Sequence, residues 1–221
     1  MKKKLFCIFG LILIVSAIAY FCHDHSVLPL DAENANYISF KIYPQNEPNY
    51  MVTNDDRVKE IVRAINELKD EGHQVGGHSY THIRLDSADV AALAEIQKTD
   101  ETLRAILGDG DYWLRPPWGF ASDALKSAVS VPLIYWTIDT MDWSVRNRDL
   151  VAHHIIENAK SGDIVLLHDP YDTSVEAALQ TIDVLSEQGY EFVTLEELFS
   201  NAGVTPQAGH FYLRADEEVP W

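Results

Sequence analysis

The chain has 221 residues, enough for one domain with a real core. Hydrophobic residues make up 47% and charged residues 23%, a globular composition rather than a disordered one. A formal net charge of -17 argues against nucleic acid and anionic lipid as partners, because both are bound through Lys and Arg.

Residues 1–22 read separately from the rest. Lys2, Lys3 and Lys4 precede Leu5–Cys22, which carries no charge. With Ala17-Ile18-Ala19 behind it, this is the pattern of a secretory signal cleaved after Ala19. The run is also long enough to span a bilayer, so an uncleaved anchor is the alternative. Either reading expects an exported protein, secreted or anchored to the outer face of the membrane, with membrane contact only through this segment. Cys7 and Cys22 both fall here, so no disulfide is expected in the body of the protein.

Tyr37–Tyr43 alternates and is β-rich, which predicts a strand, and Pro44 to Pro48 breaks it. Thr53 and Asp56 open a helix whose apolar positions Val58, Ile61, Val62, Ile65 and Leu68 recur at helical spacing, with Gly72 ending it. His73–Gly77 is predicted as a short strand delivering His78. Asp86 or Ser87 is expected to cap the next helix, which runs on Val90, Leu93, Ile96, Leu103, Ile106 and Leu107 and closes at Gly108. Tyr112–Leu114 leads into Arg115-Pro116-Pro117-Trp118-Gly119, where two prolines exclude helix and stiffen the loop. A short helix follows over Asp123–Val129.

Val131–Ile138 is an apolar run suited to one buried strand, followed at once by Asp139, Asp142 and Trp143. Asp149 to about Ala159 is helical. Asp163–Leu167 reads as a buried parallel strand ending in His168-Asp169-Pro170. A helix from about Ser174 to Gln188, a strand at Glu191–Val193 and a helix at Leu195–Ser200 complete the pattern. Residues 201–221 show no period and read as a tail. Strands and helices thus alternate, which predicts an α/β fold with parallel strands.

The polar motifs share one structural place. His78 and His82, Arg115, Asp139 and Asp142, and His168 each follow an apolar strand, where α/β folds build their sites. His78 and His82 lie four residues apart, so one helical turn brings both imidazoles to one ion. By itself that pair is unremarkable in a chain with nine His. Its company gives it weight.

In order, His-Ser-Tyr-Thr-His, Leu-Arg-Pro-Pro-Trp-Gly, Asp-Thr-Met-Asp-Trp and Ile-Val-Leu-Leu-His-Asp resemble motifs two to five of the polysaccharide deacetylases, the NodB-like carbohydrate esterases of family four. Gly189–Leu198 resembles that family's last strand and helix, and the likeness extends over about residues 56–200. It implies an irregular (β/α) barrel over residues 37–200, incomplete at its N-terminal strand. It implies removal of acetyl groups from a cell-wall-type or chitin-like glycan with one divalent metal, zinc in the usual case. His78 and His82 would be metal ligands. Arg115 would orient the base, and Asp142 would tune His168, the general acid. Trp118, Trp143, Leu167 and Tyr80 would contact substrate.

The family's first motif, Thr-Phe-Asp-Asp-Gly, is not present as such. Asp24 is the candidate third metal ligand and His23 the candidate base, although a first barrel strand would then come from the export segment itself. Without that motif the chain reads alternatively as a glycan-binding relative that does not hydrolyse, or as a tethered domain with an unused site.

Overall fold

The computed structural model describes residues 4–9, 39–42, 50–53, 56–168 and 170–219, and side chains from Val62 onward. Asp24, His23 and Cys22 lie outside the described residues.

Two parallel arrays of short strands carry the fold. In the first, β5 (Ile138–Asp139), β6 (Ile164–Leu166), β1 (Lys4–Phe9) and β7 (Tyr190–Phe192) lie side by side in that order. All pairings are parallel, with Ile138 opposite Val165, Ile8 opposite Val165 and Leu5 opposite Glu191. The second array is built from single bridges and one short pair. Gly77 bridges Leu114, Leu114 bridges Leu133 of β4 (Leu133–Ile134), and β4 pairs with β8 (Phe211–Arg214), again all parallel. The hairpin of β2 (Ser39–Ile42) and β3 (Tyr50–Thr53) is antiparallel.

The helices alternate with these strands as the periodicity predicts. They are α1 (Asp56–Asp70), α2 (Val90–Leu107), α3 (Asp123–Ala128), α4 (Asp142–Val145), α5 (Arg148–Asn158), α6 (Asp172–Glu187) and α7 (Leu195–Ala202). Caps set several boundaries. Asp89, rather than Asp86 or Ser87, caps α2 by accepting from the Ala92 backbone N–H. Ser122 caps α3 and Asn147 caps α5 in the same way. Thr194 and Glu197 form a reciprocal capping box at α7, so two otherwise unpaired N–H groups are satisfied.

Three apolar clusters bind the layers. Ile138, Val165 and Leu167 pack on Val151, Ile155, Ala177 and Leu185 from α5 and α6. Trp113, Ile134, Ile164 and Tyr212 pack on Leu195, Leu198 and Phe199 of α7, with the Phe199 ring edge-on to Trp113 at 5.3 Å and to Tyr212 at 4.9 Å. Leu85, Leu114, Leu125, Leu133 and Phe211 form the third. Each fully buried Leu, Ile or Phe here contributes about 1.5–3 kcal/mol of burial.

Three sequence expectations are corrected. Residues 201–221 are not a tail: β8 pairs with β4, β9 (Glu217–Glu218) folds back on β8, and Phe211, Tyr212, Ala215 and Val219 are buried. Arg214 fastens this strap by a 2.9 Å ion pair to buried Asp163 and a hydrogen bond to the Ser161 carbonyl. The 131–138 run is not one strand. It divides at Tyr135 and Trp136, whose rings stack at 4.0 Å, and β4 and β5 then enter different arrays. Pro117–Gly119 makes a single tight turn with Trp118 left-handed at φ +56°, so no regular helix forms at the two prolines. Gly119 lies at φ +64° against those two rings, and a Cβ there would collide with them. Finally, the seam expected at the N-terminal strand is occupied. Lys4–Phe9, inside the stretch read as a signal or anchor, is the strand between β6 and β7.

Candidate active site

The site lies at the C-terminal ends of the parallel strands, where each strand hands its next residues to a loop. His78 follows the Gly77 bridge, Arg115 follows Leu114, Asp142 follows β5, and His168 follows β6 by two residues.

The β5 and β6 ends bring Asp142 and His168 together. One Asp142 oxygen accepts from His168 Nδ1 at 2.7 Å, and the other accepts from the His168 backbone N–H at 2.6 Å. Thr140 sets the register. Its hydroxyl donates to the Leu166 carbonyl at 2.8 Å and accepts from the Asp142 N–H at 3.3 Å. Asp142 is 1% exposed. Burial alone would raise its pKa, but the hydrogen bond and charge of His168 outweigh it and hold the carboxyl below its ordinary value. The carboxylate therefore stays ionised and accepts from Nδ1–H, leaving His168 Nε2 as the atom that meets a reactant.

His78 and His82 sit on one loop with ring centroids 5.0 Å apart. The loop is tightly turned: Ser79 and His82 are left-handed, at φ +60° and +59°. Glu95 of α2 holds it there, one carboxylate oxygen accepting the N–H groups of Tyr80 at 3.0 Å and Thr81 at 2.5 Å. The Arg115 carbonyl accepts from His78 Nδ1 at 2.5 Å, which fixes the tautomer and leaves the Nε2 lone pair available. Burial pushes His78 well below the usual histidine range, helped by the nearby His82, Arg115 and His168 charges and opposed by the carbonyl bond. His82 is lowered by burial and then by His168. Neutral imidazole is the donor form that a divalent metal takes. Among the described residues, no group of three His, Cys, Asp or Glu side chains is placed to hold a metal ion. The pair thus fits as two ligands, with any third from outside them.

The charge of His168 lowers both other rings, so the three imidazoles lie within electrostatic reach of one another. The remaining candidates divide. Trp118 is 60% exposed and its ring meets His82 edge-on at 4.5 Å, while Trp143 is 47% exposed beside Asp142. Both offer open aromatic faces. Leu167 is buried in the core cluster against α5 and α6, and Arg115 is fully buried with its guanidinium 6.0 Å from the Trp136 ring. Tyr80 is 5% exposed, its ring 5.5 Å from the Lys98 ammonium and its N–H donated to Glu95. Glu95 and Thr140 are the site residues that sequence reasoning missed. A carboxylate on the loop-facing side of α2 was the one available signal for Glu95.

A family model described as polysaccharide deacetylase matches residues 43–133. A peptidoglycan-N-acetylglucosamine deacetylase of Bacillus cereus is 31% identical over 160 residues, 64% of this chain and 70% of that one. The chain belongs to the polysaccharide deacetylase family.

Other members set the scale of that kinship. The peptidoglycan-N-acetylglucosamine deacetylase PgdA of Listeria monocytogenes is 36% identical over 131 residues, 59% of this chain, but the chain spans only 28% of PgdA. A family 4 acetyl xylan esterase from Clostridium thermocellum, solved with a cobalt ion, superposes with a TM-score of 0.64 at 26% identity, covering 76% of this chain and 81% of that one. A family 4 pseudoenzyme from Bacillus anthracis superposes with a TM-score of 0.56 at 32% identity, covering 64% and 51%. The α/β architecture is therefore that of the polysaccharide deacetylases, a family containing both hydrolases and a pseudoenzyme.

Proposed function

We propose that this polysaccharide deacetylase hydrolyses acetyl groups from a cell-wall-type glycan outside the cell. What supports the reading is the Asp142–His168 pair together with two imidazoles 5.0 Å apart that both feel the His168 charge. His78 and His82 would hold one divalent metal, zinc or a similar ion, with Asp24 as the third ligand to be tested. Such an ion supplies Lewis-acid polarisation of the acetyl carbonyl and a more acidic water.

The chain's own residues do the rest. Trp118 and Trp143 flank the sugar with apolar faces, and Leu167 floors an acetyl-sized recess. His168 Nε2 delivers the proton that the leaving sugar nitrogen or oxygen needs, and Asp142 steadies the imidazolium formed when it is protonated. Arg115, buried behind His78, holds that imidazole through its carbonyl and keeps a positive charge near the hydrolytic space.

Release of acetate from acetylated amino-sugar oligomers, measured with zinc, cobalt or nickel and again after chelation, tests the reading. Metal-dependent release lost in His168→Ala is expected. No release with any of the three metals overturns it.

A second reading has its own support. A pseudoenzyme is among the relatives. The chain would then bind glycan through Trp118 and Trp143 without hydrolysis. Calorimetric glycan binding that chelator leaves unchanged, with no acetate released, identifies that case.

Export rests on Lys2–Lys4 and the uncharged Leu5–Cys22 run. The intact mass of the secreted protein tests how: loss after Ala19 would remove β1, whereas a retained N-terminus keeps the strand in its sheet.

A further inference from the structure

We propose that Arg146 and Tyr171 form a clamp that fixes the Trp143 wall of the groove to the turn carrying His168, making Arg146 a positioning residue. The clamp itself is a matter of geometry. Its effect on substrate rests on the deacetylase reading.

The helix α4 has a single turn and two demands on it. Asp142 faces inward to His168, while Trp143 and Val145 face outward and are exposed. Among the described residues, none of the three apolar clusters includes Trp143 or Val145. Both ends of the turn are left-handed at residues with a Cβ, Met141 at φ +52° and Arg146 at φ +47°. Side chains disfavour that conformation, so something must hold it.

Arg146 does so from one end. Its guanidinium carbon lies 3.4 Å from the centre of the Tyr171 ring. Its Nε donates to the Trp143 carbonyl at 2.6 Å, and its backbone N–H donates to the Asp142 carbonyl at 3.0 Å. Tyr171 in turn belongs to the other side of the site. Its N–H reaches back to the His168 carbonyl at 3.4 Å, and its own carbonyl accepts from Ser174 at the start of α6. One planar cation thus ties the α4 turn to the His168 turn from outside, while Asp142 ties them from inside. Lysine does not reproduce it, because the ammonium has no flat face to lie on Tyr171 while an Nε–H beside it reaches the Trp143 carbonyl.

The test is a double-mutant cycle on the full chain with Arg146→Lys and Tyr171→Ala, with Tyr171→Phe as the variant that keeps the aromatic face. Two quantities are read. One is acrylamide quenching of Trp143, isolated from the other tryptophans by difference against Trp143→Phe in each background. The other is the KM for an acetylated glycan oligomer, read beside kcat. Arg146→Lys and Tyr171→Ala are each expected to raise the quenching constant and to raise KM by about two- to fivefold, the loss carried by an exposed cation–π pair. The double variant should go no further than either single, kcat should move less than KM, and Tyr171→Phe should match the parent. Quenching unchanged in Arg146→Lys, or effects that add in the double variant, overturn the clamp. A parent chain that releases no acetate yet shows coupled quenching supports the clamp and overturns only the hydrolytic reading.

Discussion

His168 and Asp142 descend from β6 and β5, strands paired residue by residue, whereas His78 and His82 share one loop that leaves a single bridge at Gly77. The first pair is set by a sheet and by Thr140 beneath it, and both Asp142 oxygens are engaged by His168. The second depends on a loop in left-handed conformations, a carboxylate from α2 and one carbonyl. The half of the site proposed to donate the proton is thus held by paired strands, and the half proposed to bind metal leans on its neighbours. Damage to the first should disable chemistry while leaving metal uptake intact. Damage to the second should weaken metal uptake first.

The largest effect expected is that of His168→Ala. Acetate release should fall by about 10²–10⁴, the usual worth of a general acid. Metal content by elemental analysis should match the parent. If metal is lost as well, the two halves are not separable and the comparison fails.

Next comes Glu95→Ala, which frees the Tyr80 and Thr81 N–H groups and lets the loop relax. Metal affinity by calorimetry should drop by about 10–100-fold, the range seen when support behind a ligand is removed. The rate at saturating metal should change far less. Equal affinity in parent and variant would show that the Arg115 carbonyl alone holds the ligand loop.

Acidification sharpens the contrast from the other side. The Asp142 pKa is depressed in the folded state, so its stabilisation is present above the unfolded carboxyl value of about 3.9 and is lost as pH falls through the folded value. Urea midpoints followed from pH 7 to pH 3 should therefore fall more steeply for the parent than for Asp142→Asn. Parallel curves would mean that His168 does not hold that carboxylate ionised.

The smallest effect serves as the control. Thr194→Ala removes the capping box of α7, far from both halves, and should lower stability by about 1 kcal/mol with metal affinity and glycan KM unmoved. A change in either would show that α7 packing on Trp113 reaches the site.

Much of this was readable in the residues. Helix periods located α1, α2, α5 and α6 to within a few positions, because side chains on one helical face announce themselves locally. Four motifs in order named the family and brought His78, His82, Asp142 and His168 to attention. Tyr80 stands inside a ligand motif, and nothing local says that its ring is buried beside Lys98 or that its N–H is taken by Glu95. The strap over 207–219 was invisible for a related reason. A two-residue parallel pairing such as Leu133 with Phe211 has no period to detect and is earned only by packing.

From the sequence by itself came the alternation of strand and helix, the family, and the four chemical side chains at strand ends, since propensity, capping and motif spacing are local properties of the chain. Only the tertiary structure decided which carbonyl fixes the His78 tautomer, that Glu95 and Thr140 brace the two halves, that Lys4–Phe9 lies between β6 and β7, and that Arg146 rests on Tyr171. Those contacts join segments distant along the chain, and the energy that selects them belongs to burial and hydrogen bonding in the folded state, where no short window of sequence records it.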